Sequence, residues 1–177
     1  MILKNKIMDK KDIRRSLMRL SHEITEKNKG TENIAIIGIK NKGISVANII
    51  KENLEKIEDK KVLYGEIDVS PYRDDIKKSD YDSSSIDFDI NGKTIILVDD
   101  VLFTGRTVRA AMEGIIKRGR PLAIQLLVLI DRGHREFPIK ADYIGKNIPT
   151  SKSKEEISLK IVNSGNEEEE GVYIYEK

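Results

Sequence analysis

The segment from Thr94 to Thr107, TIILVDDVLFTGRT, gathers the residues of this chain best suited to chemistry. An apolar run ends in two adjacent carboxylates, Asp99 and Asp100, and Val101, Leu102 and Phe103 lead on to Thr104-Gly105-Arg106-Thr107. At a predicted helix start those four positions supply backbone N–H groups, two hydroxyls and a cation, the features that bind a phosphate monoester. Gly105 lets the backbone approach an anion closely. Asp99 and Asp100 stand at ribose distance from such a phosphate, and carboxylates suit vicinal hydroxyls. An isolated Asp pair reads as a polar strand end with a helix cap. The Thr-Gly-Arg-Thr loop beside it turns the reading toward a ligand. Neither Gly-x-x-x-x-Gly-Lys-Ser/Thr nor Gly-x-Gly-x-x-Gly occurs, so the common nucleotide loops are absent.

The elements that must position these residues are legible from periodicity. Asp9 to Lys29 is an amphipathic helix with Asp9 or Asp12 as cap and Gly30 as stop, its apolar stripe being Ile13, Leu17, Leu20 and Ile24. Lys11, Arg15, Arg19 and His22 fall on the opposite face. Strand, loop and helix follow: Asn33 to Ile39, then Lys40-Asn41-Lys42-Gly43, then Ile44 to Ile57. Lys61 to Val69 is a second strand. Ser70 to Asn91 is polar and reads as a mobile loop, of a length often found in active-site lids. Thr94 to Val98 and Leu122 to Ile130 are further strands, with loop and helix from Val101 to Arg118 between them. Strands alternating with helices imply parallel pairing. Arg132 to Ser153 shows no period. Ile157 to Val162 and Val172 to Tyr175 are late strands, with Asn163 to Gly171 as their hairpin and the acidic run Glu167 to Glu170 as a solvated tip.

Composition limits the rest. At 177 residues a single domain, 1–177, is expected. The absence of cysteine excludes thiolate catalysis, disulfides and Cys-ligated metals, and suits a reducing cytoplasm. Two histidines exclude a multi-histidine metal site, and no apolar stretch is long enough for a membrane helix. The net charge of +2 hides an uneven distribution. Nine basic residues face four acidic ones over Met1 to Gly30, and six face two over Arg132 to Lys154. Two basic regions on a near-neutral chain point to a polyanion surface.

VDDVLFTGRT resembles the 5-phosphoribosyl-1-pyrophosphate (PRPP) motif of type I phosphoribosyltransferases. More narrowly, IRRSLMRLSHEI, GIKNKGI, GEIDVSPYRDD and DRGHREFPIKADYIGKNIPTS resemble the pyrimidine-operon attenuator family, and the likeness covers nearly the whole chain. Members of that family bind operon mRNA hairpins in response to uridine nucleotides and carry uracil phosphoribosyltransferase activity. The resemblance implies the α/β type I phosphoribosyltransferase fold: a mostly parallel central sheet flanked by helices, a small hood (132–154 with parts of the termini) and a long flexible active-site loop (about 70–91).

It also implies roles. Asp99 and Asp100 hold the ribose hydroxyls, and Thr104 to Thr107 hold the 5′-phosphate. Lys40, Asn41, Lys42 and Gly43 form the pyrophosphate loop, and Arg73, Asp74 and Asp75 begin the loop that closes over PRPP. Asp131, Arg132 and Gly133, with Ile144, Gly145, Lys146 and Asn147, sit where the nucleobase binds. Mg²⁺ is carried mainly by the oxygens of PRPP, while Lys42 and Arg73 stabilise the departing pyrophosphate. Lys11, Arg15, Arg19 and His22 would meet an mRNA leader hairpin, with His134, Arg135, Lys146, Lys152 and Lys154 adding phosphate contacts. PRPP, uracil and UMP or UTP are the implied small partners, and the family forms homodimers that assemble further to tetramers or hexamers. Asn41-Lys42-Gly43 stands where the family usually has Thr-Arg-Gly, and Phe103 replaces the usual tyrosine. Lysine keeps the charge and loses the bidentate fork. An enzyme without RNA regulation, acting on another nucleobase, is the alternative; the hood sequence argues against a purine.

Overall fold

The computed structural model describes residues 1–76, 79–161 and 169–177. In chain order the elements are β1 (Ile2–Asp9), α1 (Lys10–Asn28), β2 (Ile34–Ile39), α2 (Gly43–Glu58), β3 (Leu63–Ile67), β4 (Thr94–Leu102), α3 (Arg106–Ile116), β5 (Ala123–Asp131), β6 (Tyr143–Asn147), β7 (Glu155–Lys160) and β8 (Gly171–Glu176). β2 is buried throughout and β4 nearly so, as central parallel strands covered on both faces must be. They lie side by side in a five-stranded parallel sheet of order β3-β2-β4-β5-β6.

Strand alternation sorts the apolar side chains into two cores. Ile36, Ile96, Val98, Leu127 and Leu129 point to the face covered by α1 and α2, where Ile13, Leu17, Leu20, Ile24, Val46, Ile50 and Leu54 are buried. Ile37, Ile95, Leu97 and Val128 point the other way, to Val108, Ala111 and Ile115 of α3. The capping of α1 is reciprocal: the Asp9 carboxylate accepts from Asp12 N–H, and the Asp12 carboxylate accepts from Asp9 N–H. Asp9 and Asp12 are therefore both part of the cap.

Several expectations need correction. First, Ser70 to Asn91 is not one loose loop. Ser70–Tyr72 is a short 3-10 turn, and Ser85 bridges Glu66. Ile90 is buried in the second core, with Ile86 and Phe88 packed against it. A single helix, α3, covers too little of that sheet face, and this strap completes the layer. Lys77 and Lys78 lie outside the described residues. Second, segment 132–154 supplies β6, which pairs with β5 at the edge of the large sheet. The separate small sheet, of order β1-β8-β7 and antiparallel, is built from the termini. Third, β4 continues through Asp99 and Asp100 to Leu102, so the carboxylates sit within the strand. The pairing of β7 with β8 agrees with a hairpin, most of whose tip lies outside the described residues. Glu170 is buried and accepts from Arg14 at 3.0 Å, so it is no part of a solvated turn. No helix among the described residues is long and apolar enough to cross a membrane.

Candidate functional site: a cleft at the sheet's carboxyl edge

From β2 the sheet runs to β3 on one side, and from β4 to β5 on the other. The loops after β2 and β4 therefore part from each other, and open parallel sheets bind ligands in the crevice at such a switch point. Here the crevice is a cleft of about 540 Å³ lined by Lys40, Asn41, Lys42, Asp68, Arg73, Asp99, Asp100 and Thr107 among others. An adjoining hollow of about 350 Å³ is lined by Val101, Leu102, Phe103, Thr104, Gly105, Arg106 and Thr107, and shares Arg73, Asp99, Val101 and Thr107 with the first. Residues far apart in sequence thus face one continuous space.

Two glycines make this geometry possible. Gly43 opens α2 against β4, where a Cβ would lie 2.7 Å from the Val98 carbonyl oxygen and 3.1 Å from Asp99 Cα. Any side chain would push the lysine loop away from the carboxylates. Gly105 precedes α3 at φ +89°, a left-handed conformation open to glycine. Past it the first amides of α3 have no acceptor within the helix, and that of Arg106 donates to Thr104 Oγ1 at 3.3 Å.

Asp99 and Asp100 are buried, at 7% and 8% exposure. Burial, reinforced by the charge of the adjacent Asp100, pushes the Asp99 carboxyl well above the usual carboxylate range, and Lys42 pulls the other way. Asp99 also accepts from the Asp100 backbone N–H at 2.9 Å. Lys40 donates to the Ser83 carbonyl, which ties the loop after β2 to the strap. The Lys40–Asn41 peptide is cis. Arg73 donates to Thr107 Oγ1 at 3.0 Å and grips Asp75 with Nε and Nη2 at 2.8 and 2.6 Å. That grip holds the Asp75 carboxyl down at about 2. Arg106 donates to Glu136 at 2.7 Å and to both oxygens of Asp74 at 3.3 Å.

The strap has its own clasp, which sequence reasoning missed. Asp82 accepts from Tyr72 Oη at 2.6 Å and from Arg118 at 2.7 Å. Burial opposes its ionisation, but Ser84, Tyr72 and Arg118 outweigh that and hold its carboxyl far below the usual range. Asp68 likewise accepts from Ser70 N–H, Ser83 N–H and Ser83 Oγ. No local pattern in the chain announces these partners. The only signal was the surplus of Asp and Ser, which solvation explained as well.

The nucleobase region is only partly assembled as expected. Asp131, Arg132, Gly133 and Asn147 do line a common hollow of about 270 Å³. Ile144 packs against the second core instead, and the carbonyls of Ile144 and Gly145 accept from Arg19 at 3.2 and 3.0 Å. Lys146 is exposed on β6. Arg132 turns inward: it is buried, donates to Thr150 Oγ1, Ser151 O and Glu155 O, and lies 4.1 Å from the Phe103 ring centroid.

The basic set divides the same way. Lys11, Arg15 and His22 are exposed on α1, opposite the buried stripe. Arg19 links α1 to β6 and also pairs with Glu23. Arg135 donates to Asp131, to the Phe103 carbonyl and to the Ile139 carbonyl, so its guanidinium, half-buried, ties the segment after β5 to the end of β4. The His134 ring contacts the Thr150 carbonyl, and Lys152 pairs with Glu136 at 3.2 Å. Lys154 is exposed.

Known proteins resemble this chain in sequence and fold. The phosphoribosyl transferase domain profile matches residues 5–160. The bifunctional protein PyrR of Caldicellulosiruptor bescii is 57% identical over 152 residues, covering 84% of each chain. That of Clostridium novyi is 51% identical over 181 aligned residues, covering the whole of both. The pyrimidine operon regulatory protein of Lactococcus lactis is 48% identical over 164 residues, covering 93% of this chain and 94% of its own. Among solved structures, a hypoxanthine phosphoribosyltransferase of Staphylococcus aureus superposes with a TM-score of 0.67 at 22% identity, covering 84% of this chain and 80% of that one. The Trypanosoma cruzi enzyme gives 0.68 at 18%, covering 85% and 79%. Those structures share the fold; half-identity along the full length is a closer kinship, so this chain belongs to the phosphoribosyltransferases and, within them, to the family of bifunctional PyrR proteins.

Proposed function

We propose that this protein is a uridine-nucleotide-responsive, RNA-binding regulator of pyrimidine genes that also converts uracil and PRPP into UMP and pyrophosphate. One observation carries the enzymatic half: the buried Asp99–Asp100 pair lies in the central strand β4, between the lysine loop after β2 and the phosphate-type loop Thr104 to Thr107. In this reading the carboxylates take the ribose hydroxyls, and Thr104, Gly105, Arg106 and Thr107 take the 5′-phosphate. Lys40, Asn41 and Lys42 face the pyrophosphate across the cleft, and Arg73 approaches from the strap. The bond from the ribose C1 to the pyrophosphate oxygen breaks as the uracil nitrogen bonds to C1, and the uracil N–H proton is released. Lys42 would stabilise the negative charge that grows on the leaving group, and Arg73, which lines both hollows, would reach it as well as the 5′-phosphate once released from Asp75.

Magnesium fits this donor set as a substrate-borne ion. In this reading Mg²⁺ would arrive with PRPP, its ligand positions filled mainly by PRPP oxygens and water, as Mg²⁺ prefers. When bound, the ion neutralises charge on the pyrophosphate. The nucleobase enters beside Asp131, Gly133 and Asn147.

The regulatory half is supported by the exposed Lys11, Arg15 and His22 on α1, with Lys146 on the neighbouring β6. Arg19, His134 and Lys152 join that surface by giving up their intramolecular partners. Arg135 is engaged within the fold by Asp131 and the Phe103 and Ile139 carbonyls and leaves the set.

Pyrophosphate release with PRPP and Mg²⁺, measured in parallel with uracil, hypoxanthine, guanine and orotate, tests the proposal. Uracil should be used at least tenfold faster than any other base. Turnover of a purine above uracil would move the protein to the alternative reading.

A further inference from the structure

Both arginines at the phosphate-type loop are already occupied by carboxylates of the chain itself. Arg73 presents its Nε and Nη2 edge to Asp75 in a two-point contact and reaches Thr107 with Nη1. Arg106 is held by Asp74 from one side and by Glu136 from the other. The hollow lined by Thr104, Gly105, Arg106 and Thr107 is lined by Asp75 and Glu136 as well. Asp74 and Asp75 follow Arg73 directly, so one short stretch of chain brings a cation to the site together with two anions.

We infer that Asp74 and Asp75 act as a built-in stand-in for the substrate phosphate, holding Arg73 and Arg106 until a phosphate monoester displaces them. The inference rests on the assignment of Thr104 to Thr107 as the phosphate site. Its physical basis is the fixed fork of the guanidinium. The N–H edge that accepts a carboxylate is the edge that accepts a phosphate, so the two anions exclude one another. A phosphate dianion carries more charge and more acceptors than a carboxylate, so exchange is favourable. Only the surplus over the displaced pairs appears as affinity. The pairs are partly exposed, with Asp75 and Asp74 side chains at 29% and 48%, so they can part without opening a core. Isolated phosphate or ribose phosphate would then bind weakly. PRPP, anchored at both ends, would displace the acids fully.

The test is a calorimetric titration of ribose 5-phosphate, whose only anion belongs in this loop, into wild type and the Asp74→Asn/Asp75→Asn variant. Exposed pairs of this kind are worth up to about fivefold each in an equilibrium constant. The variant should therefore bind about three- to tenfold tighter. A control variant, Glu26→Gln/Glu52→Gln, removes the same charge far from the cleft and should change affinity less than twofold. Unchanged or weaker binding in Asp74→Asn/Asp75→Asn would overturn the inference, because the acids would then be positioning the arginines. Equal tightening in the control would also overturn it, as a general charge effect. If wild type and variant both fail to bind ribose 5-phosphate, the phosphate-site assignment itself fails, and this inference with it.

Discussion

At the scale of single residues, the cleft depends on two carboxylates placed where water scarcely reaches them. Asp99 resists ionisation because it is buried beside Asp100, and the nearby Lys42 only partly offsets that cost. Such a pair is poor for stability and useful for gripping two adjacent hydroxyls, where one group can accept while the other shares a proton. Hydrogen bonds to charged groups are worth about 1.5–3 kcal/mol. Asp99→Asn and Asp100→Asn should each slow phosphoribosyl transfer by about 10- to 100-fold, with melting temperature unchanged or raised. Steady-state assays with uracil and PRPP read the first effect and thermal denaturation the second. Turnover within twofold of wild type in both variants would remove the ribose assignment. Gly43 is as demanding as either acid. Its Cβ-free contact with Val98 and Asp99 is what lets the lysine loop stand beside them.

At the scale of elements, the strap from Ser70 to Ile90 does two jobs. Its far end fills the second core through Ile86, Phe88 and Ile90. Its near end delivers Arg73 to the phosphate loop. The Tyr72–Asp82–Arg118 clasp joins the two parts. Because the folded-state pKa of Asp82 is depressed, its stabilising contribution is complete above the unfolded value of about 3.9. It is lost as pH falls below that toward the folded value. Asp82→Asn should accordingly flatten the acid limb of the stability curve below pH ~4 and leave its shape near pH 7 unchanged. Urea unfolding monitored between pH 2 and 7 would read this. Parallel curves for variant and wild type across that range would show that the clasp contributes nothing.

At the scale of the whole molecule, the candidate cleft and the basic helix occupy different regions joined by β6. α1 packs on β6, and Arg19 crosses between them to the Ile144 and Gly145 carbonyls. β6 in turn pairs with β5, bringing Asn147 opposite Asp131 at the hollow proposed for the nucleobase. Mutating Arg19 therefore disturbs packing as well as charge, and Lys11 and Arg15 are the cleaner probes. Lys11→Ala/Arg15→Ala should weaken binding of a pyrimidine-operon leader hairpin about tenfold or more at fixed salt, and lower the log–log salt slope by roughly 1 to 2. Uracil phosphoribosyl transfer should be unaffected. UMP should tighten RNA binding in wild type, and RNA should tighten UMP binding by the same factor. Filter binding with and without UMP reads both. Equal RNA affinity in variant and wild type would mark the α1 face as merely solvated.

What this sequence determined by itself was whatever lies close together along the chain. Asp99, Asp100 and Thr104 to Thr107 occupy one strand–turn–helix passage, so their spacing brings them together, although the strand runs on to Leu102. The amphipathic stripe of α1 and the apolar runs of β2, β4 and β5 are local patterns of the same kind, and the family resemblance could be read from them. Partners across long separations were decided only by the tertiary structure. β1 carries a single buried side chain, Met8, and β6 a single one, Tyr143. Neither edge strand has an apolar period to announce it, and each exists because a neighbour offers a row of backbone groups. The arginines make the same point most sharply. Arg73, Arg106, Arg132 and Arg135 look alike in sequence, yet the first two line the cleft and its adjoining hollow, and the last two brace the segments after β5. What separates them is which acceptor stands within reach after folding, and for Arg73 and Arg132 those acceptors include Thr107 and Thr150. A guanidinium takes whichever acceptors the fold brings to its fork, and contacts between distant segments leave no mark on local spacing.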